Sequence, residues 1–146
     1  LELDPQLFAL WSDHHFLMAC PPDPKTSARL AGIANLTMLP AGVRPLDAFP
    51  YCERHIGKPG FSTFCEALSL DLGLHVVERR DFAEVSALMK GLTQHGRHRL
   101  LSRDQLMSGD WQLDQPLLPA EAEPLASCGA LQAAEQLIRV GDQLCN

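Results

Sequence analysis

No apolar run in the 146 residues approaches the ~20 that a bilayer-crossing helix requires, so the chain is not expected to span a membrane. Basic residues are outnumbered: twelve Lys and Arg stand against eighteen Asp and Glu, a net charge of −6. General affinity for nucleic-acid phosphates is thereby disfavoured, because cationic counterion release drives it. The five cysteines (Cys20, Cys52, Cys65, Cys128 and Cys145) are odd in number and widely spaced. They do not form the dense frame of a small secreted domain and read as reduced, mostly buried thiols of a cytosolic protein. No basic start with an apolar h-region opens the chain; Leu1-Glu2-Leu3-Asp4 is acidic, and a start at Leu1 rather than Met leaves room for residues upstream. The signatures G-x-S-x-G, H-E-x-x-H and paired C-x-x-C are missing. No enzymatic activity and no cofactor are therefore expected. Nor is there a fixed-period repeat, or an alternation long enough to demand a sheet.

What is present is an ordinary globular composition, 46% hydrophobic and 21% charged, in a chain sized for one domain over residues 1–146. The apolar spacing predicts an all-α fold of about five to six helices. Asp4 as cap and Pro5 in the first turn start a helix that carries Leu7, Leu10, Trp11 and Phe16 and ends at Pro21-Pro22. A second starts near Thr26-Ser27 and stops before Pro40. Residues 40–60 hold Pro40, Gly42, Pro45, Pro50, Gly57, Pro59 and Gly60 and read as a long loop packed along the surface. A third helix follows Ser62 and ends at Gly73, and Leu74-His75-Val76-Val77 reads as a short strand or a helical continuation. Asp81 with Glu84 approximates a capping box before Val85, Leu88, Met89 and Leu92. A helix over 97–107 ended by Gly109, and a last helix over 124–145, complete the set. In the last, Leu125, Cys128, Leu131, Ala134, Ile138 and Gly141 recur at spacings of three and four, opposite Gln132, Glu135, Arg139 and Asp142.

Charge is polarised along the chain. Residues 75–103 carry six bases against three acids, whereas residues 104–146 carry seven acids against one base. That polarity suits steering between protein surfaces. The best metal candidate is Cys52 with His55, the Cys-x2-His spacing of a zinc half-site, with Cys65 as third ligand and Cys20 or His14 as a distant fourth. Structural zinc usually shows two half-sites, and this chain has one. A small metal- or cofactor-binding protein is thus the alternative to a purely interacting one. Asp13-His14-His15 invites acid–base chemistry, but neighbouring residues on a helix project about 100° apart. Gly57-Lys58-Pro59-Gly60 lacks the earlier glycine and the Ser/Thr of a phosphate-binding loop. His95-Gly96-Arg97-His98-Arg99 with Arg103 is the densest positive patch, and an acidic protein surface is its expected partner.

From Leu68 to about Gly129 the chain resembles the SctK-type accessory family of the type III secretion sorting platform. The resemblance lies in Leu72-Gly73-Leu74 closing a helix, an Arg-bearing helix, Gly109-Asp110-Trp111, Pro116-Leu117-Leu118-Pro119-Ala120-Glu121, and a small-residue step at Cys128-Gly129. It implies a helical, non-enzymatic adaptor at the cytoplasmic face of the inner membrane. Its partners would be the cytoplasmic domain of the SctD-type ring protein and the SctQ-type pod protein. The partner-binding candidates are Arg97, Arg99 and Arg103, with Trp111 and Glu121. Trp and Arg are favoured at interface hot spots, although Trp111 has the apolar area to serve equally as core.

Overall fold

Leu36-Thr37-Met38 and Gly73-Leu74-His75-Val76-Val77 decide the fold class: both are extended and paired with neighbours. The computed structural model describes residues 4–21, 23–79, 83–123, 125 and 128–144. Strand β1 (Phe16–Met18) pairs in parallel with β2 (Leu36–Met38) across helix α1 (Pro24–Leu30). Strands β3 (Arg54–Gly57), β4 (Gly73–Val77) and β5 (His98–Leu101) form a second parallel sheet in that order. Helices α3 (Phe61–Ser69) and α4 (Val85–His95) make its two crossovers. The remaining helices are the single turn α2 (Pro45–Ala48), α5 (Arg103–Ser108) and α6 (Gly129–Leu144), with short 3-10 segments at Pro5–Trp11 and Phe49–Tyr51. The chain is therefore mixed α/β, and the all-α expectation is corrected.

The physical reason lies in β4. All five of its residues are buried, as in a parallel strand covered on both faces, so it shows an apolar run instead of alternation. Leu74 and Val76 pack with Phe49, Phe64, Ala67, Leu68 and Leu92 on the α3–α4 side. Val77 points the other way, into a second core with Leu101, Phe8, Leu36, Leu106, Trp111 and Leu113. Trp111 meets Phe8 and Phe16 edge-on at 5.1 and 5.4 Å.

The other element boundaries change accordingly. The first expected helix is a 3-10 turn followed by β1; the second ends at Leu30 before β2; the loop over 40–60 contains α2, a 3-10 turn and β3. The helix expected over 97–107 is β5 followed by α5. There Ser102 accepts from the Gln105 amide while the Gln105 side chain accepts from the Ser102 amide, a reciprocal cap that starts α5 and ends the strand. Gly109, at φ +82°, ends it as read from the sequence, and a β-carbon there would sit 2.7 Å from Leu10 Cδ1. The Asp81 cap lies outside the described residues.

Candidate functional site

Two surfaces stand out once the cores are accounted for. The first is α6. At about 100° per residue, Ala130, Leu131, Ala133, Ala134, Leu137, Ile138, Val140 and Gly141 occupy one half of its circumference. Gln132, Glu135, Gln136, Arg139, Asp142 and Gln143 occupy the other. Such segregation belongs to a helix that buries one side. Yet every residue from 128 to 143 is exposed, Leu137 at 73% and Ile138 at 64%. The stretch leading to it is fastened to the end of α4. Glu121 and Ala122 amides donate to the Thr93 and Gln94 carbonyls at 3.2 and 2.8 Å, and His95 Nδ1 lies 3.0 Å from the Glu123 carbonyl.

The second surface is a cleft of about 360 Å³ at the carboxyl ends of β4 and β5, lined by Pro59, Val76, Val77, Val85, Met89 and Leu100 with Glu78 and Arg79. Its position follows from the fold, since parallel α/β sheets open crevices beyond their strand ends. Its wall is mostly apolar, and Leu100 remains 47% exposed.

The basic patch read from the sequence is divided among separate tasks. Arg97 donates to Asp71 Oδ1 at 3.1 Å and to the Asp71 carbonyl at 2.7 Å. Arg99 donates to Gln112 Oε1 at 2.9 Å and to the Pro116 carbonyl at 2.6 Å. Arg103 is exposed in the first turn of α5. Trp111 is only 1% exposed and its indole donates to the Leu106 carbonyl, so it serves as core and its side chain is not an accessible contact. Glu121 is exposed on the stretch that leads to α6.

A buried polar network escaped sequence reading. Register sets His75 beside Arg99 and brings Arg54 within reach. Arg54 Nη1 donates to the Gln115 carbonyl at 3.0 Å and lies 3.1 Å from His75 Nε2. A guanidinium only donates, so Nε2 accepts and the ring proton sits on Nδ1. Burial, reinforced by the positive charge of Arg54, pushes the fully enclosed His75 down to about 4. Arg54 and Arg99 thus hold the irregular 112–116 segment by its carbonyls against the sheet. Arg54 and His75 are 21 positions apart, and no local motif signals their meeting.

No family model, curated protein or solved structure matches this chain. Among the described residues no three His, Cys, Asp or Glu side chains converge as a metal would require. Cys52 points at the Ala48 carbonyl, 3.3 Å away, and burial raises its thiol; His55 lies against Phe49 with its pKa lowered by burial. Cys65 is exposed, as are Cys20 and Cys128, which corrects the expectation of mostly buried thiols; Cys145 lies outside the described residues. His14 packs edge-on to Trp11, and His15 Nε2 lies 2.8 Å from Thr37 Oγ1, so the pair does not form one site. Among the described residues no helix is long and apolar enough to cross a membrane.

Proposed function

We propose that this chain is a non-enzymatic assembly adaptor that works by burying α6 against another protein. The observation that carries the reading is a 16-residue helix with fully segregated faces, exposed from Gly129 to Gln143. Exposed apolar surface of that extent marks an interaction site more often than an accident of folding. The setting follows from the resemblance over residues 68–129: a connector in the type III secretion sorting platform, between the SctD-type ring protein's cytoplasmic domain and the SctQ-type pod protein. The parallel sheets replace the helical connector that the resemblance implied, so this setting rests on residue motifs and not on fold.

Co-expression with each of those two proteins tests the reading. Co-purification with at least one at low salt is expected. The double substitution Leu137→Glu with Ile138→Glu should reduce recovery at least tenfold while leaving the circular dichroism of the chain unchanged. Failure to retain either protein would remove the sorting-platform assignment.

A further inference from the structure

The outer edge of the larger sheet is closed by a strap, residues 115–118, that two arginines of the sheet grip. Leu74 and Glu78 donate to the carbonyls of Arg97 and Leu101, so His98 and Leu100 turn their backbone groups outward on β5. His98 is met there by Leu118, whose amide and carbonyl bond to it at 2.8 and 3.0 Å. Two residues earlier stands Pro116, which has no N–H to offer the edge. Its carbonyl accepts from Arg99 at 2.6 Å, and the Gln115 carbonyl accepts from Arg54 at 3.0 Å. Gln115, Pro116 and Leu118 are exposed and Leu117 is half-buried beside Gly73, whereas Trp111 and Leu113 are rooted in the core.

Between those arginines, on β4, sits the fully buried His75. The charged and polar groups that face it are Arg54 from β3, Arg99 from β5 and the Trp111 backbone from the strap side. Asp110 and Asp114, the acids nearest along the chain, are exposed and accept from Gln105 and Gln115 instead. Among the described residues no carboxylate hydrogen-bonds to Arg54, His75 or Arg99.

We infer that Arg54, His75 and Arg99 form a clasp that a proton opens: with His75 charged, the guanidiniums release Gln115 and Pro116, and residues 115–118 lift off β5. The proton comes from water and adds to Nε2, which then donates and leaves Arg54 without its acceptor. A third positive charge enclosed beside two others is disfavoured by repulsion and by burial alike. Lifting the strap relieves both, because the ring then meets solvent. The closed form titrates at about 4 and a hydrated ring near 6.5, so acid favours opening by up to about tenfold per pH unit across that interval. Opening bares His98 and Leu100 as an unpaired edge, a template for another strand.

Amide NMR spectra of the full chain, recorded from pH 7 down to pH 3, test the clasp. The His98 and Leu118 amides should move together to unbonded positions as pH falls from 6.5 towards about 4, while the Leu74 amide keeps its native position. His75→Gln leaves a neutral carbonyl to accept from Arg54, and its strap should hold across the same range. Arg54→Met removes one positive charge beside His75 and one grip on the strap, so opening should move upward by at least about half a pH unit. Circular dichroism at neutral pH checks that each variant is folded; if His75→Gln is not, Arg54→Met alone decides. Strap and sheet amides lost in one step, a strap still closed below pH 4, or an unmoved midpoint in the Arg54→Met chain would each overturn the inference. So would a folded His75→Gln chain that opens as the unaltered chain does.

Discussion

Strand β4 and helix α6 are both rich in small and branched apolar residues, yet they end in opposite environments. Every residue of β4 is buried between two cores, whereas every residue of α6 from Gly129 to Gln143 is exposed. Apolar content therefore does not distinguish a core element from a docking element in this molecule. Neighbours do. Strand β4 acquires its cover from α3 and α4 on one side and from the core around Phe8, Leu106, Trp111 and Leu113 on the other; α6 has an equally well-formed apolar face and leaves it exposed.

The contrast can be broken most forcefully at Trp111. Trp111→Ala removes a side chain packed between Phe8 and Phe16 and should cost about 3–5 kcal/mol in urea unfolding. Leu137→Ala on α6, the exposed arm of the molecule, should stay within about 0.5 kcal/mol. Should the arm substitution prove as costly as the core one, α6 would be part of the body and the distinction would vanish.

Acid gives the next largest effect. His75 titrates near 6.5 when unfolded and at about 4 when folded. The folded state holds it neutral, so its contribution is complete above pH 6.5 and is lost as pH falls from there towards 4. The loss amounts to as much as about 3 kcal/mol. His75→Gln should flatten that window in a series of denaturation curves, while arm variants should leave the pH profile of the body unchanged. A window that persists in His75→Gln would place the titration elsewhere.

At the local scale, Ser102→Ala removes the acceptor that meets the Gln105 amide at 3.1 Å and should cost about 1 kcal/mol. Thermal unfolding would register it as a small drop in midpoint. Smallest of all is Arg97→Ala, since its ion pair with Asp71 lies half exposed at the surface; less than about 1 kcal/mol is expected from chemical denaturation.

How much of this was legible in the sequence varies with the range of the interactions. Gly109 as a helix stop and the two faces of α6 are local matters that propensity and periodicity reach, whereas the caps at Asp23 and Ser102 appear only in the structure. Residues 40–60 kept their loop-like punctuation but also supply β3, because Arg54-His55-Ile56-Gly57 pairs with a strand that begins sixteen residues beyond it in the sequence. Short parallel strands of three to five residues carry too little pattern to announce themselves when both faces are covered. The setting of Arg99 was hidden for the same reason: its direction depends on strand register, and register brings the guanidinium to Gln112 and Pro116. Leu74 to Val77 was the one place where the alternative of a strand was in view, and there the strand is what forms.

The first residues of the described chain are completed by nearly the last of its body. The Trp11 indole donates to the carbonyl of Gly109, 98 positions away, and Asn35 donates to the carbonyls of Phe8, Trp11 and His14 to hold that turn in place. A nascent polypeptide emerging from the ribosome cannot complete the turn around Phe8 and Trp11 until the tryptophan at 111 has also emerged. Fragments ending short of that point would leave Phe8 and Phe16 with no aromatic partner beyond each other, and such fragments should be rapidly degraded or aggregate.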